Sequence, residues 1–443
     1  MEFSKHNIIS RLKDSEDYFI VNLLSRNADI LTEDQYQEFL AHNINITEEL
    51  KEKGYIIDPE TENNIYRQKY LEFIDNRETD EIQLFFVPGY ACNFKCSYCY
   101  QDEYLNKYEQ IDDQIITSFF NYIDSEFVNR KKYITIFGGE PLLNIKAQSN
   151  FYKRFIRECN MRNLDIAVVT NGYNLLSFIP VLKSASIREV QVTLDGTEDT
   201  HNTRRPHKNG SSTFLRIVDG IDALLRERIP VNLRMVIDKG NIEELSKLAR
   251  FANHKGWTNN QLFKTQLGRN YELHHCQVES NRLYTRLGMY EDIYEQLKLY
   301  PEIKEFYKPA FSVAKFLFEE GELPDPLFDS CPGTKTEWAF DYTGKIYSCT
   351  ATVGKEGEEL GTFYPEVTKK EEIIEEWQNR DVLAIPECKD CSVQLACGGG
   401  CGSVSKNHTG RICSPDCRPV KELLELGLSY YFRETPKDFF IKN

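Results

Sequence analysis

The stretch Ile82–Tyr100 reads IQLFFVPGYACNFKCSYCY. Its first part, Ile82–Val87, is rich in the branched and aromatic residues that fit a pleated strand, and Pro88-Gly89 ends it. Directly after the strand comes a loop carrying Cys92, Cys96 and Cys99. In parallel α/β folds, ligands sit beyond the carboxyl ends of strands, which is where this loop falls. Three thiolates spaced CxxxCxxC can hold three irons of a [4Fe–4S] cluster and leave the fourth iron open to an outside ligand. A tetrahedral zinc site would take a fourth protein ligand close by, and none is evident.

Outward from this strand the same rhythm repeats. Strand-like runs recur at Tyr133–Phe137, Asp165–Thr170, Glu189–Leu194, Val231–Ile237 and Gln261–Leu267. Between them lie helix-length segments: Asp112–Asn129, Asn144–Arg162, Thr213–Arg228 and Asn241–Lys255. Alternating strand and helix implies parallel strands joined by crossovers. Six such units make a partial or complete α/β barrel. A doubly wound sheet is the competing topology, and periodicity does not separate the two.

The flanks have their own character. Residues 1–80 carry short elements. Tyr18-Phe19-Ile20-Val21 precedes Thr32-Glu33-Asp34-Gln35, a capping box that predicts a helix through Ala41. A second helix over Thr47–Lys53 should stop at Gly54, followed by a strand at Tyr55-Ile56-Ile57 and a helix over Thr61–Asn76. Small helices among short strands suit a winged-helix-like module. Residues 271–329 read as a helical bridge. Residues 330–443 are dense in Gly and Cys and end in a helix over Val420–Gly427 and an aromatic tail. The expected division is therefore 1–80, 81–270, 271–329 and 330–443.

Composition narrows the function. The 443 residues hold 54 Lys and Arg against 69 Asp and Glu, a net charge of −15, so the chain is a poor partner for nucleic-acid phosphates. It has no apolar run long enough for a membrane span and Met1–Asn7 opens no signal peptide, so a cytoplasmic protein is expected. The 13 Cys are lopsided: three fall in Cys92–Cys99 and eight in Cys331–Cys417. Disulfide scaffolds belong to small secreted chains, whereas clustered Cys in a large chain read as metal ligands. Cys159, in a predicted helix, reads as a buried apolar residue; Cys276, beside His274 and His275, reads as a surface helix position.

Further signals sit at the ends of later strands. Gly138-Gly139-Glu140-Pro141 follows the second strand; its glycines permit close backbone approach, and a carboxylate with bare carbonyls can accept hydrogen bonds from an ammonium group. Asn171-Gly172 follows the third. Val192-Thr193-Leu194-Asp195-Gly196 ends the fourth, ahead of His201-Asn202-Thr203-Arg204-Arg205.

CxxxCxxC with an aromatic residue, Tyr98, before the third Cys resembles the signature of the radical S-adenosylmethionine (SAM) superfamily. The resemblance implies that the open iron chelates SAM, whose C–S bond is cleaved to a 5′-deoxyadenosyl radical. It implies that Gly138, Gly139, Glu140 and Pro141 grip the SAM amino group, that Thr193 contacts the ribose, and that Arg205, with Arg204 as adjacent competitor, pairs with the carboxylate.

The C-terminal cysteines resemble the SPASM domain of radical SAM enzymes that modify peptides and proteins. That domain binds two auxiliary [4Fe–4S] clusters, three clusters in all for the chain. The family pattern assigns Cys331, Cys349 and Cys401 to a near cluster and Cys388, Cys391, Cys397 and Cys417 to a distal one. Cys413 either fills the near cluster or leaves it open for a substrate thiolate.

The resemblance covers about residues 80–425. It implies an enzyme that abstracts hydrogen from a peptide, fed by a low-potential donor such as flavodoxin or ferredoxin. The leading expectation is a maturase of a ribosomal precursor peptide, forming a thioether or carbon–carbon crosslink, with the first 80 residues capturing a leader sequence. The alternatives are an anaerobic sulfatase-type maturase making formylglycine, and a cluster-bearing electron-transfer or regulatory protein. No acid/base residue is singled out by the sequence. The first 80 residues hold no matched cofactor residue, so that module is expected to be separable from cluster binding.

Overall fold

The computed structural model describes residues 1–41, 48–104, 111–143, 146–270 and 280–434. The chain starts with five short strands: β1 (Glu2–Phe3), β2 (Asn7–Arg11), β3 (Tyr18–Asn22), β4 (Asn27–Leu31) and β5 (Ile56–Ile57). β2, β3 and β4 form an antiparallel meander, and β1 pairs with β5. Helix α1 (Glu33–Leu40) opens on Thr32 with the expected capping box to Gln35. α2 (Glu48–Glu52) ends before Gly54, which takes φ +72° in the left-handed region. α3 (Pro59–Thr79) is capped by Asp58, with Pro59 in its first turn.

α3 is not confined to the N-terminal module. Its Tyr66, Tyr70 and Phe73 rings surround Phe328 at centroid distances of 5.1, 5.3 and 5.6 Å. Tyr66 Oη donates to Gln394 and Tyr70 Oη to Asp381, at 2.8 and 2.7 Å. The first 80 residues are therefore not separable from the cysteine-rich region: the helix that closes the one is packed into the other.

Six strands follow: β6 (Ile82–Val87), β7 (Lys132–Ile136), β8 (Ile166–Thr170), β9 (Ile187–Thr193), β10 (Val231–Ile237) and β11 (Phe263–Arg269). Each is the parallel neighbour of the next, so the sheet order is the chain order. A doubly wound sheet would reverse direction at a switch point; this one does not. β6 and β11 do not pair. The result is an open, partial (β/α)6 barrel. The crossovers are α4 (Asp113–Glu126), α5 (Lys146–Met161), α6 (Leu175–Leu182), α7 (Glu198–Arg204) with α8 (Phe214–Arg226), and α9 (Glu244–His254). α4 shows why they dock: Ile115, Ile116, Phe119, Phe120 and Ile123 recur at helical spacing and are all buried. Cys159 lies fully buried in α5.

β12 (Glu337–Asp341) joins β6 in parallel, and β13 (Lys345–Tyr347), β14 (Gly361–Thr362) and β15 (Thr368–Lys369) extend it antiparallel into a ten-stranded sheet. The Cys-rich region thus begins by continuing the barrel wall. Within 271–329, residues 280–329 hold helices at Arg286–Leu299, Ile303–Phe306 and Ala314–Glu319. The last helix, Val420–Glu434, runs past the expected stop at Gly427. A Cβ at Gly427 would lie 2.4 Å from Phe311 Cβ, so that glycine serves close helix packing. Cys276, His274, His275 and the aromatic tail after Glu434 lie outside the described residues. Among the described residues no helix is long and apolar enough to cross a membrane.

Candidate functional site

Cys92, Cys96 and Cys99 lie half-buried on the loop after β6, none of them in a disulfide. Cys96 feels the charges of both others, so three sulfurs gather at the carboxyl end of the sheet. Burial pushes the Cys92 thiol up to about 11 and Cys96 to about 12. A coordinating metal ion reverses this, since its positive charge deprotonates the thiol. The loop is pinned by backbone bonds to the segment after α7: Lys95 N–H to Pro206 O (2.9 Å), Ser97 N–H to Arg204 O (3.0 Å) and Lys208 N–H to Asn93 O (2.8 Å).

Gly138-Gly139-Glu140-Pro141 sits against that loop. Gly139 N–H donates to Gly89 O (3.2 Å) and Glu140 N–H to Ala91 O (2.8 Å). A Cβ on Gly138 would fall 2.6 Å from Gly89 O, and one on Gly139 2.3 Å from Tyr90 O. The glycines thus let two loops of the chain touch. The buried Glu140 carboxylate accepts from Thr170 Oγ1 (2.6 Å), Asn171 N–H (2.6 Å) and Leu142 N–H (2.8 Å). Three of its acceptor sites are thus taken by the protein, tying the turn after β7 to the end of β8. Asn171 Nδ2 in turn donates to Asn93 Oδ1 at 2.8 Å, tying the end of β8 to the cysteine loop.

The two adjacent arginines differ sharply. Arg204 is buried between acids: its Nη1 lies 2.8 Å from Asp238 and its Nε 3.5 Å from Asp195. Arg205 is equally buried but turns to the cysteine loop. Its Nη1 donates to Tyr98 Oη at 2.5 Å, its Nε has no partner, and Cys96, Tyr98 and Asp195 are the acidic groups beside it that favour its cationic form. The Tyr98 hydroxyl passes its own hydrogen to Asp195 at 2.5 Å. Thr193 lies buried at the carboxyl end of β9, in register with Arg234 of β10. Asp195, which sequence reading left without a role, organises the corner: it accepts from Tyr98 and from Val236 N–H (3.0 Å).

Comparison with known proteins identifies a domain. Residues 86–252 match the radical SAM superfamily. The chain carries a radical SAM domain. It is 25% identical over 388 residues to the serine-type anaerobic sulfatase-maturating enzyme of Bacteroides thetaiotaomicron, covering 78% of this chain and 87% of that one. Among solved structures, native anSMEcpe with bound AdoMet superposes with a TM-score of 0.60 and 18% identity, over 80% of this chain and 99% of that one. Streptococcus suis SuiB bound to S-adenosylmethionine gives 0.52 and 14%, over 95% and 99%.

A radical SAM enzyme uses a [4Fe–4S] cluster and SAM, and the donors here fit both. Three thiols gather on one loop, the Gly138-Gly139 turn packs against it, and Arg205 keeps a buried Nε without a partner. When bound, these groups supply a 5′-deoxyadenosyl radical. The site predicts opposite outcomes for the neighbouring arginines. Arg205→Lys should weaken SAM binding about tenfold, because a point charge cannot reproduce the planar fork. Arg204→Ala should instead lower stability by about 3 kcal/mol by stranding two buried carboxylates. SAM titration and chemical unfolding of both variants separate the roles; SAM loss in the Arg204 variant alone would exchange them.

In the C-terminal region of the chain the cysteines fall into two groups. Cys349 feels Cys331 and Cys401. Cys388 feels Cys397, Cys391 and Cys417. Cys413 faces another set, Glu376, Arg380, Lys335 and Asp381, with its Sγ 3.9 Å from Glu376 O. Among the described residues no three His, Cys, Asp or Glu side chains are set to grip a single metal ion. A cubane spreads its ligands over four irons and asks for wider spacing.

Sequence reasoning missed Arg380, which is wholly buried and spans the loops that carry Cys401 and Cys413. It also missed the barrel cavity. Neither has a local sequence signal, since both are made by residues far apart in the chain.

Proposed function

We propose that this radical SAM enzyme modifies a ribosomal precursor peptide, forming a thioether or carbon–carbon crosslink. The observation that carries the reading is the N-terminal meander. β2 is covered by the last helix, through Lys13 N–H to Glu425 O at 3.1 Å and a Ser10–Glu425 hydrogen bond. β4, in contrast, has no strand on its outer side among the described residues. An open sheet edge can take an extended leader as a further strand, through backbone hydrogen bonds with pockets choosing alternate side chains. The module at 1–80 is then the leader-recognition unit, 81–270 the radical SAM barrel, 271–329 a bridge and 330–443 a SPASM domain. The extent of the SuiB likeness, which reaches into the N-terminal residues, supports this division.

In this reading Cys92, Cys96 and Cys99 hold the SAM-binding cluster. Cys331, Cys349 and Cys401 hold the near auxiliary cluster, and Cys388, Cys391, Cys397 and Cys417 the distal one. The grouping of the thiols by mutual charge supports those sets. Gly138 and Gly139 offer carbonyls to the SAM amine, Thr193 the ribose contact and Arg205 the carboxylate fork. A low-potential protein such as a flavodoxin or ferredoxin supplies electrons.

The second reading, a sulfatase-type maturase making formylglycine, is favoured by the 25% identity that extends over 78% of the chain. One experiment separates them. The reconstituted, reduced enzyme is given SAM and either a neighbouring precursor peptide, with and without its leader, or a sulfatase peptide. Crosslinking removes two hydrogen atoms and leaves no aldehyde, whereas formylglycine reacts with a hydrazide. The expected result is crosslinked precursor, with turnover falling at least tenfold when the leader is absent. Equal turnover without the leader would remove the recognition role, and aldehyde formation on the sulfatase peptide alone would install the second reading. Deleting residues 1–78 is an unsuitable substitute, since it strips Tyr66, Tyr70 and Phe73 from Phe328.

A further inference from the structure

The barrel wall encloses a cavity of about 310 Å3, lined by side chains from all six parallel strands and by Thr350 from the Cys-rich region. Alternate residues face it, as the pleat requires: Gln83, Thr135, Gln191, Arg234 and Lys264 among them. These positions precede the strand ends that carry the SAM-site loops, so the cavity opens beneath them.

The charges on this wall are unevenly compensated. Lys264 pairs with Glu189 at 2.5 Å, and Arg188 pairs with Glu81. The Arg234 side chain makes no hydrogen bond or ion pair with any described residue; only its backbone is bonded, Arg234 O accepting from Leu194 N–H at 3.0 Å. Its guanidinium is nonetheless seated. It lies over Gly268, where a Cβ would come within 2.9 Å of its Nε and Nη2. Its backbone stands level with Thr193 on one side and Gln266 on the other. Its charge reaches Tyr100, which follows Cys99 and whose hydroxyl points to Thr350 O at 3.4 Å. A cation held on a half-buried wall without a counter-charge is costly, and its planar fork of donors matches one partner best, a carboxylate.

We infer that Arg234 receives a carboxylate of the substrate peptide, holding it in the cavity beside the SAM site. This rests on the reading that a peptide is the substrate. The carboxylate is that of an acidic side chain or of the peptide's own C-terminus. SAM's carboxylate is served separately by Arg205, which faces Cys96.

The test is calorimetric titration of reconstituted enzyme, saturated with SAM, with three blocked or half-blocked tripeptides. These are acetyl-Ala-Glu-Ala-amide, acetyl-Ala-Gln-Ala-amide and acetyl-Ala-Ala-Ala with a free carboxylate. The glutamate peptide or the free-ended one should bind about tenfold tighter than the glutamine peptide. Which of the two wins identifies the source. Arg234→Gln should level the three affinities while SAM affinity stays at the wild-type value. Gly268→Ala, which crowds the seat and keeps the charge, should weaken the carboxylate peptides in the same direction. Equal affinities in the wild type, no measurable binding, or loss of SAM with the peptide preference intact would each overturn the assignment. Because binding is read without turnover, a failure of the maturase reading shows up elsewhere, as absence of a mass shift on any peptide.

Discussion

Replacing Cys92, Cys96 and Cys99 together with Ala should abolish SAM cleavage and remove about one third of the iron, from about 12 atoms per chain to about 8. The loss should be confined because the loop is held from outside itself. Lys95, Ser97 and Asn93 bond through their backbones to Pro206, Arg204 and Lys208, and those bonds survive the substitutions. Within each C-terminal thiol group the members feel one another, so their irons should remain. Iron and sulfide assays with chromatography of 5′-deoxyadenosine read both effects. Retained cleavage would refute the assignment of the cysteine loop. Two tightly bound zinc atoms with only four irons in the wild type would refute the auxiliary clusters.

The strand framework was legible because it is written locally. Ile82–Val87 and Val231–Ile237 are found where composition puts them, and the other four barrel strands shift by two residues or fewer at each end. α6 was not legible: Leu175–Leu182 is a short apolar run containing Pro180, which carries no helical period to recognise. A partial barrel was the expected fold, but alternation did not by itself exclude a doubly wound sheet, since both present the same pattern; the strand order does. β12 pairs with β6 across some 250 residues of chain, Glu337 against Gln83, and no local pattern announces such a partner.

The site shows the same divide. The cysteines announce themselves by spacing, whereas Arg204 and Arg205 are indistinguishable until α7 turns one to Asp238 and the other to Tyr98. Glu140 was legible as functional, yet its three donors show a carboxylate engaged in closing the loops. The glycines beside it were rightly read as permitting close approach, but what approaches is the cysteine loop.

The most destabilising single change should be Arg380→Met. Arg380 is 0% exposed, and its guanidinium donates to four backbone carbonyls: Ile412 (2.9 Å), Gly400 (3.0 Å), Gly399 (2.6 Å) and Ser414 (3.0 Å). Gly399 and Gly400 both take φ +71°, and they lead directly into Cys401. Ile412 and Ser414 flank Cys413. One side chain therefore fixes the loop that leads into Cys401 and the loop that carries Cys413. A methionine keeps much of the volume but takes a donor from four buried carbonyls; Ile412 O and Gly399 O keep one each, from Ser414 N–H and Asp416 N–H, while Gly400 O and Ser414 O lose theirs, and Asp329, 3.8 Å away, has less positive charge beside it. Orphaned buried groups cost about 1–3 kcal/mol each before relaxation, so a loss of about 4 kcal/mol is expected. Arg380→Lys should recover only part, because one ammonium cannot span acceptors on two loops. Urea unfolding of the apo chains measures the stability loss. Reconstitution should return about two thirds of the wild-type iron or less, with the Cys92–Cys99 loop still able to bind its share. An unfolding midpoint and iron content equal to wild type would mean that the loops are held by their own turns, and that the arginine merely fills the space between them.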